Sequence, residues 1–251
     1  IIESTADVAA CYKVQIAYYE ELGLSGLDAY AKTLHLIRSR GHVAIADIKR
    51  GDIADTATRY ARAHLEGDFE ADCVTLNPYM GIDSLEPWLL AAERLGKGLF
   101  ALVRTSNPGM RDFEALELSS GGRVYDEVAR RVAALADRGR GRRGYGALGA
   151  VLGCTEREEA ASLRKRLSGV FVLIPGYGAQ GGAAEDAALL LEKGNGGVVN
   201  ASRSILKAWS AAGLETGSTD LQAAAGAARG AAIAMRDALR LATAARGKLG
   251  A

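Results

Sequence analysis

Residues 43–56 read Val43-Ala44-Ile45-Ala46-Asp47-Ile48-Lys49-Arg50-Gly51-Asp52-Ile53-Ala54-Asp55-Thr56. The opening apolar run, 43–48, has the length of a strand, and its near-continuous apolarity predicts burial on both faces. Residues 55–65 then carry helical periodicity. A doubly buried strand passing straight into a helix is one βα unit of a parallel sheet.

The unit recurs along the chain. Apolar runs at 10–17, 73–76, 99–103, 148–152, 170–174 and 198–200 bring the strands to seven, separated by helical stretches at 25–40, 85–95, 123–137, 156–167 and 183–192. An Ala-rich segment, 220–245, predicts a long final helix. The expectation is α/β class, a (β/α)8 TIM barrel in which both strand faces are buried, filling residues 1–251 as one domain. Seven strands do not close an eight-stranded barrel. Residues 1–8 read as a helix leading into the first visible strand, so a first strand upstream of Ile1 is expected to be missing.

A hydrophobic share of 49% with 24% charged residues is that of an ordinary globular protein. The net charge of +1 gives no global field for nucleic acid or an anionic membrane, so any anion site must be local. The run 138–144, rich in Arg and Gly, lacks interleaved aromatics and reads as a solvated loop. Cys11, Cys73 and Cys154 share no metal-ligand spacing and sit in apolar runs, so reduced core thiols and no metal site are expected. With no long apolar segment and no signal-like N-terminus, a cytoplasmic protein is expected.

Chemistry gathers at strand ends. Asp47 and Lys49 are two apart and point to one face of their strand at its C-terminal end, where barrel enzymes keep catalytic groups; Asp52 follows in the turn. Two carboxylates around one ammonium would keep it charged at neutral pH. By composition alone D-x-K-x-x-D arises in roughly one chain of this length in twenty, and a surface ion-pair cluster is the bland alternative. The pattern gains weight because it ends an apolar strand, where charge is costly to bury.

The last two strands run into Pro175-Gly176-Tyr177-Gly178-Ala179-Gln180-Gly181-Gly182 and Asn200-Ala201-Ser202-Arg203-Ser204-Ile205. Glycines admit close backbone approach, and Ser202-Arg203 at a helix start offers amide N–H groups and a guanidinium to phosphate, although glycines also serve simple turns. Barrels often bind phosphate at these two loops.

Together with Thr56 and Thr105-Ser106-Asn107-Pro108, these motifs resemble the orotidine 5'-phosphate decarboxylase family, in its bacterial branch with a longer insertion after the fifth barrel strand. The match runs in order from Lys13 to Arg203. The resemblance implies that Lys13, Asp47, Lys49 and Asp52 surround the reacting carbon, that Ser106 bonds the pyrimidine edge, that Gln180 bridges pyrimidine and phosphate, and that Arg203, beside Ser202 and Pro175, binds phosphate. It also implies a homodimer in which Asp52, Ile53 and Thr56 enter the partner's site, and a cofactor-free reaction on a small-molecule substrate. The family's ribose-binding aspartate belongs to the strand missing here.

Such chemistry requires a localised carbanion at C6 to be stabilised, which a fixed Lys49 ammonium does electrostatically while supplying the replacing proton. Two alternatives stay open: a related barrel that uses D-x-K-x-x-D to hold Mg2+ for sugar-phosphate chemistry, and a nucleotide-binding relative without turnover. His35, His42 and His64 lie away from strand ends and are read as structural or exposed.

Overall fold

The computed structural model describes residues 1–178, 181–192, 194–213 and 220–249. All seven apolar runs form strands: β1 (Cys11–Gln15), β2 (Val43–Arg50), β3 (Cys73–Leu76), β4 (Gly98–Arg104), β5 (Leu148–Leu152), β6 (Val172–Ile174) and β7 (Gly197–Val199). They lie in one sheet in chain order, each neighbouring pair parallel. The helices are α1 (Ile2–Thr5), α2 (Ala17–Glu20), α3 (Gly23–Ser39), α4 (Ala54–Leu65), α5 (Glu86–Leu95), α6 (Val124–Ala136), α7 (Arg157–Arg166), α8 (Ala184–Leu189), α9 (Arg203–Leu206), α10 (Ala208–Ala211) and α11 (Leu221–Leu249). The architecture is a TIM-barrel-like α/β fold.

The period of two along each strand divides the apolar residues into two cores. Ile45, Phe100, Val151 and Leu173 pack with Cys11, Cys73, Leu102 and Val198 inside the curled sheet. Ala44, Ala46, Ile48, Val74, Leu76, Leu99, Ala101, Ala150 and Val172 face the helices, where they meet residues such as Leu34, Ala61, Trp88 and Val132. The central strands β2 to β6 are thus largely buried on both sides, which is why their runs lack the alternation of a half-exposed sheet, while the edge strands β1 and β7 are mostly half-buried.

Strand boundaries shift where a backbone group finds a local partner. The first strand stops at Gln15 because the chain turns into α2, with Ile16 N–H still reaching Asp47 O at 3.4 Å. Val170 N–H closes the turn after α7 on Leu167 O, so β6 starts at Val172. In the Arg/Gly-rich loop, Arg138 binds Glu86 through both guanidinium nitrogens and Arg140 binds Asp137.

The sheet has two edges, β1 and β7, which do not pair with each other among the described residues. Between them lies a cavity of about 620 Å³ lined by Tyr12 and Lys13 on one side, Val198 and Asn200 on the other, and Met235 and Leu239 of α11. No described helix is long and apolar enough to cross a membrane.

Candidate active site

Register brings the charged residues together. Lys13 pairs with Ile45 and Gln15 with Asp47, so Lys13, level with Ile45, and Asp47, one inward position further along, project from adjacent strands into the barrel. Asp47 is 5% exposed. Its Oδ2 accepts from Lys13 Nζ at 2.5 Å and Gln15 Nε2 at 3.1 Å, while its Oδ1 accepts from Lys49 Nζ at 2.5 Å and Thr75 Oγ1 at 2.9 Å. Four donors, two of them cationic, satisfy a carboxylate that would otherwise be costly to bury. Burial pushes its pKa up, but the charges and hydrogen bonds of Lys13 and Lys49 outweigh burial and hold it below the usual carboxylate range.

The mouth of the barrel begins at Lys49. Its backbone is left-handed, with φ of 46°, and the pairing of β2 with β3 shifts register between Ala46 and Arg50. Regular alternation therefore ends before Lys49, yet its ammonium returns to Asp47, leaving the side chain 44% exposed toward solvent. Asp52 does not join this cluster within the chain. Its Oδ1 accepts from Ile53 N–H at 2.8 Å, and among the described residues it makes no ion pair. Ile53 is 50% exposed at the start of α4, and Thr56 is exposed on the same helix.

Two loops at the same mouth enclose Ser106. A Cβ on Gly153 would lie 3.1 Å from the Cα, Cβ and N of Ser106, and one on Gly176, at φ 101°, would lie 3.3 Å from Ser106 Cβ. A side chain at either position would push against the Ser106 segment, and at Gly176 the left-handed backbone itself favours glycine. That segment is also held by Glu114, which accepts from Thr105 N–H and Thr105 Oγ1, each at 2.8 Å. Pro175 O accepts from Cys154 N–H at 3.2 Å, and the loop then closes on itself through Gly178 N–H to Gly182 O at 2.8 Å. Beside it, Ser202 and the exposed Arg203 open α9, whose Ser204 lies 3.6 Å from where a Gly178 Cβ would stand. The two glycine and arginine loops thus form one rim. Gln180 lies outside the described residues.

Thr75, Gln15, Glu114 and Asn200 were not singled out from the sequence. Thr75 carried one signal, a hydroxyl two residues beyond Cys73 on the barrel face of an apolar strand. Asn200 follows β7 with a buried Oδ1 that has no hydrogen-bond partner among the described residues. Of the histidines, His64 is buried and stacked on Phe69 at 5.8 Å, away from this mouth. Burial pushes the Cys11 and Cys73 thiols up to about 11 and about 12, so neither is a ready nucleophile.

Comparison with known proteins gives a consistent family. The model of the orotidine 5'-phosphate decarboxylase / HUMPS family matches residues 1–213. The chain is 54% identical over 240 residues to orotidine 5'-phosphate decarboxylase from Clostridium perfringens (strain SM101 / Type A), covering 96% of this chain and 82% of that one. A structure of OMP decarboxylase from Leishmania donovani superposes with a TM-score of 0.73 at 30% identity, covering 94% of this chain and 85% of that one. A structure of Leishmania donovani UMP synthase gives a TM-score of 0.75 at 32% identity; the chain covers 94% of itself and about half, 48%, of that protein.

Proposed function

The chain belongs to the orotidine 5'-phosphate decarboxylase / HUMPS family, and on that premise we propose that it converts orotidine 5'-phosphate to UMP and CO2 in de novo pyrimidine biosynthesis. The observation that carries the reading is the Lys13–Asp47–Lys49 cluster at the C-terminal mouth of the barrel, beside the rim formed by Pro175, Gly176, Gly178, Gly182, Ser202 and Arg203.

Breaking the C6–carboxylate bond leaves its electron pair in an in-plane orbital that the ring π-system cannot accept. Lys49 meets that charge with a fixed ammonium and then passes its proton to C6. Asp47 holds the ammonium in place, and Lys13 gives the buried Asp47 carboxylate a second cationic partner. Ser106 bonds the pyrimidine edge, Gln180 reaches from ring to phosphate, and Arg203, Ser202 and Pro175 receive the phosphate. Binding energy at the phosphate, far from C6, serves to organise the charged network. The chain's own side chains supply this chemistry without a cofactor.

Two structural elements complete the reading. An eighth parallel strand fills the slot between β7 and β1 and makes a single (β/α)8 domain; both strand edges line the slot, and the Asn200 amide oxygen there has no partner among the described residues. A two-fold homodimer then brings Asp52 of the partner subunit to the exposed side of Lys49. Exposed apolar residues on the loops after β2 and β3, Ile53, Tyr79 and Met80, support such a contact. The enzyme is cytoplasmic and binds neither nucleic acid nor membrane.

Absorbance of orotidine 5'-phosphate, followed with and without EDTA, tests the proposal. Loss of substrate with UMP formed one for one, undiminished by EDTA, is the expected result. No turnover would favour a nucleotide-binding relative, and activity abolished by EDTA would favour Mg2+-dependent sugar-phosphate chemistry in the same barrel.

A further inference from the structure

The β2–β3 ladder is irregular at the point where the chemistry sits. Ala46 pairs with Val74 and the next pairing is Arg50 with Leu76, so β2 advances four residues while β3 advances two. The surplus is taken up by a bulge that holds Lys49 at φ 46°, a region a lysine rarely occupies. Within that bulge the Lys49 N–H donates to a side chain, Thr75 Oγ1, at 3.0 Å. The hydroxyl proton in turn goes to Asp47 Oδ1 at 2.9 Å, the oxygen that also receives Lys49 Nζ.

One hydroxyl therefore closes a ring that runs from the Lys49 backbone through Thr75 to the Asp47 carboxylate and back through the Lys49 ammonium. Thr75 is 1% exposed, so no water substitutes for it at the surface. We infer that Thr75 is a positioning residue for the decarboxylation: it holds the left-handed backbone of Lys49 and the rotamer of Asp47 in one geometry. This rests on Lys49 being the group that acts at C6.

Valine in place of Thr75 fills nearly the same volume, while leaving the Lys49 N–H and one Asp47 lone pair without a partner. T75V should lower kcat at least about thirtyfold, with KM and UMP affinity changed less than about threefold, because the lost order bears on the reacting carbon and not on the phosphate. Its acid limb in the kcat–pH profile should move to higher pH, since Asp47 loses a donor that favours its charged form. T75S, which restores the hydroxyl, should recover kcat to within about fivefold. Should T75V not fold, Thr75→Cys, whose thiol is a weaker donor, should give an intermediate kcat with the same direction of pH shift.

A T75V enzyme that is less stable but keeps its kcat and pH profile would make Thr75 a packing residue and overturn the inference. So would failure of serine to rescue. A parallel Lys49→Ala enzyme separates the levels: if it stays active, the reading of Lys49 and this inference fall together; if it is inactive while T75V is fully active, the inference alone falls.

Discussion

Lys13→Met keeps an unbranched stem and removes the ammonium that lies 2.5 Å from Asp47. The carboxylate retains its hydrogen bonds from Gln15, Lys49 and Thr75 but loses one of two cationic partners. Breaking a buried ion pair costs about 3–5 kcal/mol when the survivor is left uncompensated. Here Lys49 remains, and the desolvation of Lys13 itself is relieved. The expected loss is thus about 2–3 kcal/mol at neutral pH, or roughly 5–10 °C in Tm for a chain of this size. Linkage fixes the pH dependence. The folded-state pKa of Asp47 lies below its unfolded value, so its stabilisation is present above about pH 4 and is lost as pH falls through the folded value. Urea unfolding of both proteins should show a difference that shrinks as pH is lowered from neutrality through that window. A difference below about 1 kcal/mol at neutral pH, as for an exposed pair, or one independent of pH, would refute a buried charged pair at this site.

Three further outcomes follow from the same geometry. Burial, helped by the Arg50 charge, pushes the His64 pKa down to about 4 from 6.5, so stability is full above the unfolded value and falls by about 3 kcal/mol between those limits; His64→Phe should flatten that slope in urea titrations, and an unchanged slope counts against a neutral buried imidazole. Arg203→Ala should weaken UMP by about tenfold to a hundredfold, some 1.5–3 kcal/mol, with little effect on uridine; equal weakening of both by calorimetry means that Arg203 is not a phosphate ligand. Lys49→Ala and Asp52→Ala, each nearly inactive, should regain about a quarter of normal activity when unfolded together and refolded as a mixture, because half the dimers are mixed and each has one intact site. If nothing returns while the unmutated enzyme refolds efficiently, the shared site is wrong.

The central strands were legible because they are buried on both faces and read as nearly unbroken apolar runs, and Asp47 and Lys49 stood out as charges at the end of one. What the sequence did not show is geometry made by the loss of regularity. A strict period of two places Lys49 beside Asp47, but it does not show that Lys49 occupies a left-handed bulge held by Thr75. Threonine is common in strands, so its hydroxyl gains meaning only when the register sets it against Asp47. Glu114 is nine residues from Thr105, in a turn with no periodicity, and its grip on Thr105 could be found only in three dimensions. Gly153 and Gly176 read as ordinary turn glycines; their role as the surfaces against which Ser106 packs depends on loops far apart in the chain.

The direct test of the account is turnover by Lys49→Ala set against its affinity for UMP. The Lys49 ammonium is fixed on Asp47 and acts on charge that appears only as CO2 leaves, so kcat should fall by more than a thousandfold, about 4 kcal/mol or more of transition-state stabilisation. The Kd for UMP, set mainly by the phosphate rim, should stay within about threefold. A fall in kcat of less than about tenfold, roughly 1.4 kcal/mol, with the enzyme folded and UMP bound normally, would contradict the account.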